Sequence, residues 1–178
     1  MILVRGEVLE CAGRRYRCAL GRGGIATKMR EGDGVTPAGA WPLRRLLYRP
    51  DRLAAPAGGL AAVPLSPQDG WCDAVDDGAY NCQVRLPYAA SCEELWREDG
   101  LYDVIVVLGF NDDPVVPGLG SAIFLHVARP DWGPTEGCVA LALADLSAVL
   151  THCGPGTVMT VEPGQTQGRG ANPKIETA

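Results

Sequence analysis

"SAIFLHVARPDWGPTEGCVAL", residues 121–141, is the stretch on which the reading of this chain turns. Its first eight residues form an apolar, β-branched run interrupted only by His126, too continuous for a strand with one wet face and therefore expected as a central strand. The loop of Pro130–Pro134 follows, and the chain then turns from polar to apolar at Gly137-Cys138. A strand that delivers a histidine to a loop, and a loop that returns a cysteine beside it, is an arrangement that nucleophilic chemistry can use. A free thiol is only about a few per cent ionised at neutral pH, so a cysteine nucleophile needs a base. On the residues alone two readings stand: Cys138 as nucleophile with His126 as base, or Cys138 as a small apolar residue at a strand start and His126 as a satisfied core histidine.

Working outward, "YDVIVVLGF" (102–110) has the same continuous apolar character and reads as a second central strand. Residues 2–9 and 14–20 are strand candidates joined by a turn at Ala12-Gly13. The Gly-, Pro- and Asp-dense segment 30–43 is a loop leading into a strand from about Ala40 to Leu47. Residues 50–68, rich in proline, read as a long surface excursion of the kind that often borders sites. "SCEELWREDG" (91–100) carries the capping-box pattern Ser91/Glu94 and ends on Gly100, which predicts a short helix. "LADLSAVLTH" (143–152) places Leu143, Leu146, Val149 and Leu150 on one helical face, and Gly154-Pro155-Gly156 ends it before a last strand, 157–162. The expected fold is mainly β, a sandwich or barrel-like body with a few short peripheral helices, as one domain over 1–163 followed by a tail, 164–178.

Composition narrows the function. Hydrophobic residues make up 47% and charged residues 21% of the chain, the profile of a globular protein able to bury a sizeable core. A net charge of -5 with scattered Arg and Lys offers no stripe for nucleic-acid phosphates, and no apolar run approaches the roughly 20 residues of a bilayer span. Neither nucleic acid nor membrane is expected as a partner. The polar break at Arg5 and Glu7 and the lack of a small-residue cleavage site argue against a secretory signal, so cytoplasmic residence is expected, periplasmic if a leader has been removed. The seven cysteines contain no C-x-x-C pair, which speaks against a thiolate metal site or a complete disulfide framework and suits a reducing compartment. His152 lies in the last turn of a helix, where it serves the dipole and orphan carbonyls.

Two segments together resemble the YkuD-type L,D-transpeptidase catalytic domain. "IFLHVARPDWGPTEGCVAL" (123–141) is similar to that family's histidine followed, after a loop, by Ser/Thr-His-Gly-Cys and an apolar residue. "EGDGVTPAGAW" (31–41) resembles its G-D-x-x-T-P-x-G-x-aromatic loop, and "GPGTVMTV" (154–161) its closing strand. The resemblance implies that Cys138 attacks a carbonyl, that His126 takes and returns the proton, and that Thr135 and Gly137 shape the turn holding the cysteine, with backbone N–H groups at Gly137 and Cys138 lining an oxyanion site. Two positions depart from the pattern: Glu136 stands where the family has His, and Ala140 where it has Arg. Arg129 is then a candidate substitute for the arginine, and Glu136 a candidate contact for a substrate ammonium group. Tyr80, Asn81 and Asn111 are polar loop residues placed as possible flanks of the cleft.

The implied activity is acyl transfer through a Cys138 thioester on the peptide stems of peptidoglycan, with no metal or organic cofactor. Water as acceptor gives an L,D-carboxypeptidase that removes terminal D-alanine from tetrapeptide fragments, the favoured expectation. An amine acceptor gives a cross-linking L,D-transpeptidase, and loss of the chemistry would leave a module that only binds wall fragments.

Overall fold

The computed structural model describes residues 1–163, and the proposed tail lies outside them. The chain forms, in order, β1 (Ile2–Arg5), β2 (Val8–Cys11), β3 (Arg14–Arg17), β4 (Ile25–Ala26), β5 (Thr36–Pro37), β6 (Gly39–Tyr48), β7 (Ala62–Pro64), β8 (Asp69–Cys72), β9 (Gln83–Arg85), β10 (Cys92–Glu94), β11 (Val104–Leu108), β12 (Phe124–Val127), β13 (Val139–Leu141), helix α1 (Leu143–Leu150) and β14 (Val158–Glu162). The body is one large sheet in the order β13-β12-β11-β6-β14-β1-β2-β3, with β7 beside β6. Its two edges meet: beyond β3, Ala19 exchanges both backbone hydrogen bonds with Ala140 of β13, at 2.8 and 2.9 Å. The sheet is thereby drawn into a nearly closed barrel, which removes the exposed edges that an open sheet would present.

The two apolar runs behave as expected. Every residue of β11 is buried: β6 and β12 pair with its two edges, and its alternate side chains pack into two cores, one on each face. One face of the large sheet, with Val106, Leu125, Val139 and Leu141, packs against Leu146, Val149 and Leu150 of α1. The other, with Leu47, Ile105, Val107 and Phe124, packs under Trp71 of β8 and Leu95 just after β10, on a small separate sheet of order β10-β8-β9. Alternation along a strand therefore sends successive residues of β12 into different cores.

Three local expectations change. The segment 2–9 breaks at Gly6, whose φ of 53° makes it a turn, so β1 and β2 form a hairpin ahead of the Ala12-Gly13 turn. The helix expected over 91–100 is absent: Cys92–Glu94 pair with β8, Cys92 opposite Cys72, and the Leu95 N–H donates to Asp69 O at 3.0 Å. Ten residues are too few to hold a helix in water on a capping pattern alone, whereas pairing with β8 and complete burial of Leu95 reward the extended form. Finally, Leu143, the first residue of α1, is 39% exposed, so the buried face of the only helix among the described residues is Leu146, Val149 and Leu150. That helix is too short to cross a membrane.

Candidate active site

β12 and β13 run parallel with Leu125 beside Val139 and His126 beside Ala140. Counting back one step, Cys138 sits next to Phe124, and side-chain alternation puts Phe124, His126, Cys138 and Ala140 on one face, away from α1. His126, Cys138 and Ala140 line one cleft of about 430 Å³. The structure thus brings together the histidine and cysteine that the sequence paired, while His152 stays exposed at the end of α1 and does not line the cleft.

The sulfur is held by backbone on both sides. Cys138 Sγ–H donates to Ala122 O at 3.2 Å, and the Phe124 N–H donates to Sγ at 3.3 Å. Burial pushes the thiol up to about 12; nearby Glu93 and Glu136 add to the rise, and the Phe124 N–H and Lys28 oppose it. The resting nucleophile is therefore a neutral thiol, not a preformed thiolate.

His126 Nδ1 lies 2.8 Å from Val127 O. A carbonyl only accepts, so Nδ1 carries the proton and Nε2 is left as a base. Burial lowers the imidazole to about 4, against the raising influence of the Val127 and Leu101 carbonyls, so the ring is neutral near pH 7. Tyr102 packs edge-on against the imidazole, ring centroids 5.3 Å apart, and donates its hydroxyl to Glu93 at 2.6 Å. The orienting group for the histidine is a backbone carbonyl, which no residue-type pattern can reveal.

The turn before the nucleophile is built around Thr135, which donates to Cys138 O at 2.7 Å and accepts from the Gly137 N–H at 3.2 Å. This engages the Gly137 N–H, so of the two donors expected for an oxyanion only that of Cys138 stays in view. Gly137 has φ of 135°, and a Cβ there would sit 2.8 Å from Val35 O. Both demands exclude a side chain. Gly137→Ala is expected to lower folding stability by about 1–3 kcal/mol, measured by urea unfolding, and to slow turnover of the proposed substrate about ten-fold by displacing Cys138.

The loop 28–35 forms the opposite lip. Burial would raise the Asp33 carboxyl, yet Lys28 Nζ at 2.6 Å and the N–H groups of Val35, Met29 and Arg30 hold it well below the usual carboxylate range. This staple places Glu31 and Gly32 on the cleft. Thr36 accepts from the Gly21 N–H at 2.8 Å, fastening the loop to the segment beyond β3 that closes the barrel.

The remaining sequence candidates separate. Arg129 and Glu136 line the cleft; Glu136 is ion-paired with Arg22, and Arg129 is exposed with no ion pair among the described residues. Tyr80, Asn81 and Asn111 do not line it. Buried Tyr80 donates to Glu31 and accepts from the Gly120 N–H at 3.0 Å, while Asn111 spends its amide on Val116 and Gly120 within its own loop. Asn81 is buried with all its polar capacity used internally. Sequence reading passed over Glu93, Arg97, Asp73 and Tyr102, which the small sheet and its flanks bring to the cleft wall. Among these, Asp73 Oδ1 is buried without a hydrogen-bond partner.

The family model described as the YkuD L,D-transpeptidase catalytic domain matches residues 7–162. The chain belongs to the YkuD family. Among solved structures, L,D-transpeptidase 1 of Mycobacterium tuberculosis is similar at 11% identity with a TM-score of 0.41; the alignment covers 92% of this chain and 61% of that one. The chain thus spans under two thirds of that protein's length. No curated protein matches it. Against the family pattern the chain has Thr135, Gly137, Cys138 and the upstream His126 in place, and it departs at Glu136 and at Ala140. Ala140 is buried on the cleft face, and its backbone closes the barrel to Ala19. Arginine in the cleft comes instead from Arg97 and Arg129.

Proposed function

We propose that this YkuD domain is a cysteine acyl-transfer enzyme acting on peptidoglycan stem peptides, and specifically an L,D-carboxypeptidase that releases D-alanine from tetrapeptide fragments. The observation that carries the reading is the shared cleft face of Cys138 and His126, with the imidazole's Nδ1 anchored on Val127 O. As Sγ attacks the stem carbonyl, His126 Nε2 takes the thiol proton, and the Cys138 N–H faces the developing oxyanion. Collapse breaks the peptide bond, and His126 returns the proton to the departing amine of D-alanine. Water then attacks the thioester, giving up a proton to His126, and the tripeptide leaves as its carboxylic acid with the thiol restored.

Charge in the cleft supports water as the acceptor. Glu31, Asp73, Glu93 and Glu136 line it against Arg97 and Arg129. Carboxylates stabilise an ammonium, which suits a diamino-acid stem but also keeps an incoming acceptor amine protonated and non-nucleophilic. Water stands at roughly 55 M, so an amine competes only if it is strongly positioned and deprotonated. The seven free thiols support action in the reducing cytoplasm, on recycled fragments.

The family's own description favours a second reading, cross-linking, and one experiment separates the two. A purified tetrapeptide is incubated with the protein, with and without millimolar tripeptide as amine acceptor, and the products are weighed by mass spectrometry. Tripeptide and D-alanine with only traces of dimer are expected. Dominant dimers would replace hydrolysis by transpeptidation, and no release of D-alanine from any stem would leave a binding module.

A further inference from the structure

The Cys138 sulfur hangs on a residue in an unfavourable conformation. Ala122, whose carbonyl accepts the Sγ–H bond at 3.2 Å, has φ of 52°, in the left-handed region that a side chain disfavours. Such a conformation persists only where surrounding structure over-determines it. Asn81, on the link between β8 and β9, holds it: the Ala122 N–H, ahead of β12, donates to Asn81 Oδ1 at 3.0 Å.

Asn81 is itself fully committed. Its Oδ1 also accepts from Trp71 Nε1 at 3.0 Å, and its Nδ2 donates to Phe110 O at 3.1 Å and Asn111 O at 2.8 Å. Four bonds exhaust the amide's capacity, and the side chain is buried. Its own φ is 57°, which Asn tolerates better than most residues. The amide therefore ties the small sheet, the end of β11 and the segment entering β12 together at one point, and the nitrogen it holds is three covalent bonds from the carbonyl oxygen that accepts from the sulfur.

We propose that Asn81 is a positioning residue for the nucleophile: by holding Ala122 in the left-handed conformation it aims the Ala122 carbonyl at Cys138 Sγ and fixes the thiol's rotamer toward the cleft. The proposal deepens the acyl-transfer reading and rests on it for its consequence in turnover, but its structural content is testable without substrate. Releasing Ala122 removes an acceptor that favours the neutral thiol and loosens the packing around it, so ionisation becomes easier while aim is lost. The groups that share in the titration of Cys138 are Glu93 and Tyr102 from the small sheet and its flank, Lys28 from the lip, and Glu136 in its own turn, and His126 on β12 lines the same cleft. None of these is altered by a change at Asn81.

Two variants and two readouts test it. Asn81→Gly keeps the backbone conformation and deletes the amide; Asn81→Asp retains Oδ1 as acceptor for Trp71 and Ala122 and replaces Nδ2 by a carboxyl oxygen that burial and the facing Phe110 and Asn111 carbonyls keep protonated and uncharged, with one donor where the amide had two. The first readout is the iodoacetamide alkylation rate of each cysteine, resolved by peptide mass, between pH 7 and 10; the second is kcat and KM on the tetrapeptide. In Asn81→Gly, Cys138 is expected to alkylate about three- to ten-fold faster at each pH, as the loss of one hydrogen bond implies. Buried Cys18 and Cys153 should be unchanged, and kcat should fall about ten-fold with KM within two-fold. In Asn81→Asp both readouts should stay within two- to three-fold of the parent even if melting drops. A faster thiol with slower turnover, confined to one cysteine, is a signature that general destabilisation does not give. Parent-like alkylation in Asn81→Gly overturns the proposal, as does an Asn81→Asp variant that alkylates as fast as Asn81→Gly; if Asn81→Gly fails to fold, an altered Asn81→Asp alone overturns it. Should the parent release no D-alanine, the functional reading fails while the alkylation contrast still decides the role of Asn81.

Discussion

Replacing Cys138 by alanine is expected to bring release of D-alanine down to background, a loss of at least about 10³-fold, in a protein that still folds. The size follows from the chemistry: without sulfur no thioester forms, and no other cysteine lines the cleft to take over. The fold survives because the change removes one buried atom whose two hydrogen-bond partners are backbone groups of the adjoining segment, Ala122 O and Phe124 N–H. A stability loss of about 1–3 kcal/mol covers the small void and the two orphaned groups. Circular dichroism melting and the tetrapeptide assay check both halves. Cys72→Ala and Cys92→Ala serve as controls: both lie in the β8–β10 pair and neither lines the cleft, so they should reduce stability and leave kcat within a few-fold. Undiminished release by the Cys138→Ala variant would remove the nucleophile assignment altogether.

What the sequence made legible is what local pattern controls. The continuous apolar runs pointed to β11 and β12, because burial on both faces is written in neighbouring residues, whereas the turn of Thr135 and Gly137 came only with the resemblance of 123–141 to the YkuD motif. The small sheet was not legible. Its strands have three or four residues each, and β8 pairs with β9 and β10 across intervals whose registry only the folded chain sets, so a capping pattern at Ser91 outweighed it on paper. With that sheet went the wall of the cleft: Glu93, Arg97 and Asp73 carry no spacing signature. Asn81 was recognisable as a turn residue from its type, which fits its φ of 57°, but its four side-chain bonds join three distant segments. Val127 could not have been found at all, since it acts through its carbonyl.

Replacing His126 by alanine is expected to lower kcat by about 10²-fold or more with a small change in KM, the scale on which a positioned general base contributes. The base matters more here than in an enzyme with a preformed thiolate. Burial puts the Cys138 thiol at about 12 and the His126 ring at about 4, so near pH 7 both partners rest neutral and the proton moves only as the carbon–sulfur bond forms. The base is then needed in the transition state itself, and its loss falls on kcat. His152→Ala, exposed beyond α1, should stay within a few-fold; the opposite ranking of the two histidines would transfer the role of base to His152. The same ring dictates two pH effects. Activity should fall on acidification only as pH approaches about 4, where the buried imidazole protonates and can no longer accept. Stability should begin to fall earlier: the unfolded histidine binds its proton near 6.5 and the folded one near 4, so between those values the unfolded chain takes up protons that the folded chain refuses. That contribution is complete above pH 6.5, is lost as pH falls toward 4, and should be missing from urea melts of His126→Ala over the same interval. A parent and variant whose stabilities run parallel from pH 7 to 5 would mean that His126 is not held neutral by burial, and the concerted proton transfer drawn from it would fail with that.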